Sequence, residues 1–221
     1  MNRVNNYDSQ LSTDQIACQV HRGMIGGRWE ELGLLQLEFM KSHGLRPEHR
    51  LADVGCGALR GGIKYLAYLN PRNYYGLDLN QSLIDAGRIE VAALNLQERG
   101  ANLLVSDAFE LHKFETTFRF GIAVSVFSHL PMNQILRCLK EVKRVLEPSG
   151  IFYASFFLAQ GDIQLEPVMQ GRNILHSYWD IDPYHYSIKE MEWMGRHAGL
   201  DVNYIGDWNH PGQMMMEFIR R

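Results

Sequence analysis

The chain has 221 residues, enough for one full domain with a sizeable core and no need of metal or disulfide staples. Hydrophobic residues make up 46% and charged residues 21%, which excludes wholesale disorder, and 22 basic against 25 acidic residues argue against a nucleic-acid surface held by charge. A polar start from Met1 to Gln10, no run near the ~20 apolar residues of a membrane span, and three cysteines in unrelated contexts lead to the expectation of a cytoplasmic protein, monomer or homodimer, acting away from membranes and nucleic acid.

The first fifty residues read as helical. Ser12-Thr13-Asp14 supplies cap chemistry for a helix whose apolar positions are Ile16, Val20, Met24 and Ile25, interrupted by Gly26-Gly27. A second helix is predicted from about Arg28 to His43, with Trp29, Leu32, Leu35, Phe39 and Met40 as its stripe and Gly44 and Pro47 as its stop. From Arg50 onward short strands alternate with helices. Strands are predicted at Leu51–Val54, Tyr74–Leu79, Asn102–Val105, Phe118–Val126 and Ile151–Leu158. Helices are predicted at Leu59–Leu69, Gln81–Glu98 and Pro131–Leu146, the last closed by a turn at Pro148-Ser149-Gly150. After a loop rich in histidine, aspartate and aromatic residues, a helix at Ser187–His197 precedes strands at Val202–Gly206 and Gln213–Ile219. Their short connection requires antiparallel pairing, since a parallel return needs a dozen or more residues. The expected fold is α/β: a Rossmann-like, seven-stranded, mostly parallel sheet with a terminal antiparallel hairpin, helices on both faces and an N-terminal helical lid. Residues 1–47 are assigned to the lid and 48–221 to the main domain, as one structural unit.

The chemistry concentrates at Asp53-Val54-Gly55-Cys56-Gly57-Ala58-Leu59-Arg60-Gly61-Gly62. Glycines between a strand and a helix let the backbone approach a ligand, and the helix beyond offers free N–H groups; the same turn also serves with nothing bound. No Gly-Lys-Ser/Thr follows, so this is no phosphate-binding Walker loop. Asp78 closes the second strand, where a carboxylate accepts hydrogen bonds from both ribose hydroxyls of a nucleotide-like ligand. Asp107, in Ser106-Asp107-Ala108-Phe109, follows the third strand and suits either an adenine amino group or a loop cap, with Phe109 and Leu79 placed to sandwich a ring.

These elements, together with Leu139 to Gly150 and the terminal hairpin, resemble the class I S-adenosylmethionine-dependent methyltransferases from about Leu51 onward. The resemblance implies S-adenosylmethionine as cofactor and S-adenosylhomocysteine as product, with Gly55 and Gly57 near the methionine part, Asp78 on the ribose and Asp107 on the adenine. Asp53, Cys56, Ala108 and Ser125 complete the expected cofactor contacts. One departure is Leu59, where the family often has glycine. A nicotinamide-dependent oxidoreductase is the nearest competitor, but its G-x-G-x-x-G spacing is missed because the third glycine falls at Gly61. A non-catalytic cofactor-binding partner subunit is the other alternative.

Methyl transfer needs alignment of a nucleophile behind the methyl group, and a base where that nucleophile carries a proton. The loop after strand four, the insertion after strand five and the N-terminal helices are expected to meet at the carboxyl ends of the strands. His129 is the candidate base, or a packing residue under the cofactor. Tyr178, Trp179, Tyr184, His185 and Tyr186 make a loop suited to a small substrate, and Arg172 suits a substrate carboxylate or phosphate. Arg28 and Trp29 are placed in a lid, near the cofactor carboxylate and near the sulfonium respectively. No histidine-aspartate spacing fits a closed metal site, so the expectation is metal-independent methyl transfer to a small molecule.

Overall fold

The computed structural model describes residues 7–162, 164–171 and 175–221. Its main sheet has eight strands in the order β3-β2-β1-β4-β5-β10-β9, with β8 beside β5, and is of the mostly parallel Rossmann-like kind predicted. The chain divides into two compact units, Tyr7–Phe120 and Gly121–Arg221, with β4 (Phe118–Ala123) running across the division.

In the first unit, α1 (Thr13–Ala17) starts at Ser12, whose hydroxyl accepts the Gln15 N–H while the Gln15 side chain takes the Ser12 N–H. The single helix expected through Ile25 is instead two short ones. Gln19 adopts left-handed backbone with φ of 58°, breaking the chain before α2 (Val20–Met24). α3 (Trp29–Ser42) follows and turns Trp29, Leu32, Phe39 and Met40 inward. β1 (Leu51–Val54) is buried on both faces and pairs in parallel with β2 (Tyr74–Asp78), which pairs in parallel with β3 (Asn102–Val105). α4 (Gly62–Tyr68) packs on α3 and β2, and α5 (Gln81–Ala93) packs on β2 and β3. Asn80 caps α5, its side-chain oxygen accepting the Ser82 and Leu83 N–H groups.

In the second unit, α6 (Met132–Val145) leads directly into β5 (Leu146–Leu158). The turn expected at Pro148–Gly150 belongs to the strand. Ser149 donates its N–H to the Arg220 carbonyl and Gly150 accepts the Arg220 N–H, so the C-terminal chain straightens it into the ladder. β10 (Met214–Ile219) pairs antiparallel with β5 and with β9 (Asp201–Asp207), giving the expected hairpin. Phe127, Phe152 and Phe218 meet at 6.3–6.4 Å between ring centres and form the core of this unit. The insertion between β5 and α7 (Ile188–Ala198) carries strands absent from the sequence reading. These are β6 (Val168–Gln170) and β7 (Leu175–Ser177), paired antiparallel, and β8 (His185–Tyr186), parallel to β5.

Candidate functional site

Within the Tyr7–Phe120 unit, the turn after β1 is built on left-handed backbone. Gly55 and Gly57 have φ of 71° and 52°, a region open to glycine at little cost. The N–H groups of Gly55 and Cys56 both donate to the Leu77 carbonyl, at 2.7 and 3.1 Å. The Gly57 N–H donates to Asp78 Oδ2 at 2.8 Å, and the Asn80 N–H donates to Asp78 Oδ1 at 2.9 Å. Asp78 therefore ties the glycine turn to the end of β2 with one oxygen and starts α5 with the other. Burial raises its pKa, opposed by the N–H groups of Asn80, Gly57 and Leu79.

Asp53 lies beneath the turn. Burial pushes its carboxyl up to about 7, against the Tyr74 hydroxyl that donates to Oδ2 at 2.8 Å. Cys56 is buried as well, and burial raises its thiol well above the ordinary range. Leu59 has φ of 67°, the backbone a glycine would adopt freely, yet its side chain is fully buried. Room for it comes from two other glycines, since a Cβ on Gly87 would lie 2.6 Å from Leu59 Cγ and one on Gly62 would lie 2.9 Å from Leu59 Cβ. Leu59 thus fills space that a side chain at 62 or 87 would need.

After β3, the Ser106 hydroxyl donates to Glu110 and accepts the Ala108 N–H. That leaves Asp107 exposed at the tip of the loop. Phe109 is buried at φ of 57°, and Leu79 is exposed. A ring stacked between these two has one fixed wall and one that solvent reaches.

The N-terminal segment is tied down at many points. The Asn80 side chain donates to the Tyr7 and Ser9 carbonyls, and the Leu11 N–H donates to the Ser82 hydroxyl. Glu90 takes a bidentate pair from Arg22 and a 2.7 Å contact from His21 Nε2. Burial works to raise the Glu90 carboxyl, but the hydrogen bonds from Arg22 and His21 prevail and hold it below its usual range. Trp29 is buried with the Arg22 guanidinium 4.8 Å from its ring centre and His21 edge-on at 5.9 Å, so one ring face already meets a protein cation. Arg28 pairs with Glu31 on the surface.

Within the Gly121–Arg221 unit, Ser125 follows β4 at φ of 59° and donates its N–H to Ser155 Oγ at 2.8 Å. Gln213 gathers that end of the strands. Its Oε1 accepts from Ser155 at 2.6 Å and Ser125 at 3.2 Å, and its Nε2 reaches Ser128 at 3.5 Å. The β9–β10 connection therefore lies at the same end of the strands as the loop after β4. There Trp208 stacks on His210 and donates to the Gln213 carbonyl. His129 Nδ1 contacts Asp182 Oδ1 at 2.6 Å, with both side chains mostly buried. Tyr184 is half-buried, its N–H on the Ser128 carbonyl, and burial raises its phenol. Tyr178 is half-buried and bridges to Tyr184, while Trp179 is exposed. His185 and Tyr186 are buried and committed within the protein, the ring to Ser177 and the Gln164 carbonyl and the phenol to the Leu130 carbonyl. They hold the loop in place. Arg172 lies outside the described residues.

The sequence reading missed Asp182 as a partner of His129, the Gln213–Ser155–Ser128 set, and the anchors Arg22, Arg60 and Glu90. A signal existed for some of them: Ser155 interrupts an apolar strand, and Glu90 sits between Ile89 and Val91. Among the described residues no three His, Cys, Asp or Glu side chains gather as a metal site, and no helix is long and apolar enough to cross a membrane.

Comparison with known proteins agrees with this geometry. Residues 51–150 match a family model described as a methyltransferase domain. An uncharacterized methyltransferase of Bacillus subtilis, YcgJ, is 26% identical over 191 residues, covering 83% of this chain and 68% of that protein. Among solved structures, the CcbJ methyltransferase of Streptomyces caelestis has a TM-score of 0.71 at 14% identity, covering 98% of this chain and 99% of that one. A magnesium protoporphyrin IX methyltransferase (ChlM) of Synechocystis, solved with bound S-adenosylmethionine, has a TM-score of 0.64 at 13% identity over 97% of this chain and 86% of that one. Residues 51–150 thus match a methyltransferase domain, and the chain shares its fold with solved methyltransferases, one of them holding S-adenosylmethionine.

Proposed function

We propose that the chain methylates a small molecule carrying an ionisable hydroxyl or amine, with His129 as the base and without a protein-bound metal. The observation that carries the reading is the 2.6 Å contact between His129 Nδ1 and Asp182 Oδ1. An Nδ1–H donating to a carboxylate places the imidazole's basic lone pair on Nε2 and stabilises the cation formed when Nε2 takes a proton. Asp182 also fixes the ring orientation. Trp179 and Ile181, exposed on the same loop, favour an acceptor with an apolar body.

The residues of the Tyr7–Phe120 unit fit the cofactor. Two left-handed glycines open the turn to close approach, the Asp78 carboxylate lies beside it, and Asp107 stands exposed after β3. We assign Gly55 and Gly57 to the methionine part, Asp78 to the ribose, and Asp107, with Leu79 and Phe109, to the adenine. When bound, S-adenosylmethionine supplies an electrophilic methyl group. His129 Nε2 accepts the proton that the acceptor loses.

Single-turnover assays against a panel of phenols, alcohols and amines test this reading. His129→Gln should lower the methyl-transfer rate by about 10²–10⁴-fold while cofactor affinity stays within about twofold, and Asp182→Asn should act in the same direction with a smaller loss. Unchanged turnover in His129→Gln would reduce the histidine to packing. Activity that chelators abolish and divalent ions restore would overturn the metal-free mechanism.

A further inference from the structure

The segment between α2 and α3 lies on the glycine turn. Ile25 Cγ2 is 3.3 Å from where a Cβ on Gly57 would sit, so the isoleucine closes over the glycine assigned to the methionine end of the cofactor. The segment's own backbone closes the turn at the end of α2, the Gly26 N–H donating to the Gly23 carbonyl at 3.0 Å and the Gly27 N–H to the Arg22 carbonyl at 2.9 Å, but leaves it on left-handed backbone. Gly26 and Gly27 have φ of 87° and 62°, Arg28 has φ of 47°, and a Cβ on either glycine would meet nothing within 4 Å. The side chain that ties the segment to the glycine turn is Arg60, which follows that turn and is 7% exposed. Arg60 Nη1 donates to the Ile25 carbonyl at 3.0 Å and the Gly27 carbonyl at 2.9 Å. A buried guanidinium is costly, and here Nε is left without a partner. The fold retains it where its only hydrogen bonds, among the described residues, go to the two carbonyls of this hinge.

The structure assigns Arg60 as a positioning residue that latches Ile25 over the glycine turn, so that this chain reads the amino-acid tail of its cofactor through a strap and not through the turn alone. Glu90, with Arg22 and His21, anchors the other end of the strap. The assignment rests on placing the methionine end at Gly57. It predicts a loss confined to ligands that possess that tail. S-adenosylhomocysteine carries it, and 5′-methylthioadenosine offers the same nucleoside and sulfur without the α-amino acid.

The test measures binding and dissociation of both ligands by stopped-flow and calorimetry, with hydrogen exchange on the full chain. In Arg60→Met, S-adenosylhomocysteine should dissociate at least about tenfold faster while 5′-methylthioadenosine affinity changes less than about twofold, and Arg60→Lys should restore part of the difference. Equal weakening of both ligands would make Arg60 a general support of the fold and overturn the assignment, as would an unchanged S-adenosylhomocysteine off-rate. Should Arg60→Met fail to fold, the wild-type chain decides. Amides of residues 20–28 should gain protection with S-adenosylhomocysteine and not with 5′-methylthioadenosine. Equal protection by both, or none by S-adenosylhomocysteine once it is bound, would overturn the strap. If the wild-type chain bound neither ligand, the cofactor placement would fall and the strap with it.

Discussion

Leu59 shows how a departure from a family pattern is absorbed by neighbouring residues. Its left-handed backbone costs on the order of 1 kcal/mol for a branched side chain, while burial of that side chain between Gly62 and Gly87 returns more. Leu59→Gly should therefore destabilise the protein by roughly 2–4 kcal/mol in denaturant unfolding, because the cavity outweighs the relieved strain. A variant as stable as the wild type would show that the leucine is not wedged as described. Asp53 gives a pH prediction. Its folded pKa is raised to about 7, so the protonated acid is the form the fold prefers. The stability it contributes is complete below the unfolded value near ~4 and is lost as pH rises through about 7. Asp53→Asn keeps an oxygen for the Tyr74 hydroxyl and cannot ionise. Its stability relative to wild type should climb by on the order of 2–4 kcal/mol between about pH 5 and pH 8; a flat difference would contradict the buried-acid account. Glu90 has the opposite sign. Its depressed carboxyl contributes stability above the unfolded pKa that is lost as pH falls through the folded one, so acid should loosen the N-terminal strap first.

At the scale of elements, α7 packs so closely on the terminal hairpin that position 195 admits no side chain. A Cβ on Gly195 would collide with Val202 and lie 2.8 Å from the Phe218 ring, which is fully buried. Alanine is the better helix former by about 1 kcal/mol, yet overpacking against a fixed ring should dominate. Gly195→Ala is expected to lower stability by about 1–3 kcal/mol in thermal or urea unfolding, and a stabilised variant would show that the hairpin gives way. Much of this architecture was legible beforehand, because the signals were local. β1 ends just before Gly55 and β3 just before Ser106, where hydrophobic runs stop, and the Ser12 and Ser187 capping boxes mark their helices. What stayed hidden depends on partners distant in sequence. Gln19 breaks a periodic helix pattern through backbone conformation alone, Pro148–Gly150 reads as a turn until Arg220 pairs with it, and the short strands of the insertion lack any apolar run.

Over the whole molecule, the acids that we assign to the cofactor stand out because their order along the chain follows the alternation of strands and helices. Asp53 lies within β1, Asp78 closes β2 and Asp107 follows β3. The second unit was less readable, since Asp182 lies 53 residues from His129 and Gln213 lies 58 residues from Ser155. The fold is shared with proteins at 13–14% identity, and a fold alone does not set function, so the site residues must carry the functional argument. The central claim is that Asp78, already tying the glycine turn to β2, is also the ribose ligand. Calorimetric titration of the wild-type chain and of Asp78→Asn with S-adenosylhomocysteine tests it most directly. The account predicts saturable one-site binding to the wild type and a loss of about 10- to 100-fold in the variant, the scale of one charge-assisted hydrogen bond. Equal affinity in a folded Asp78→Asn chain, or no binding to the wild type, would contradict it.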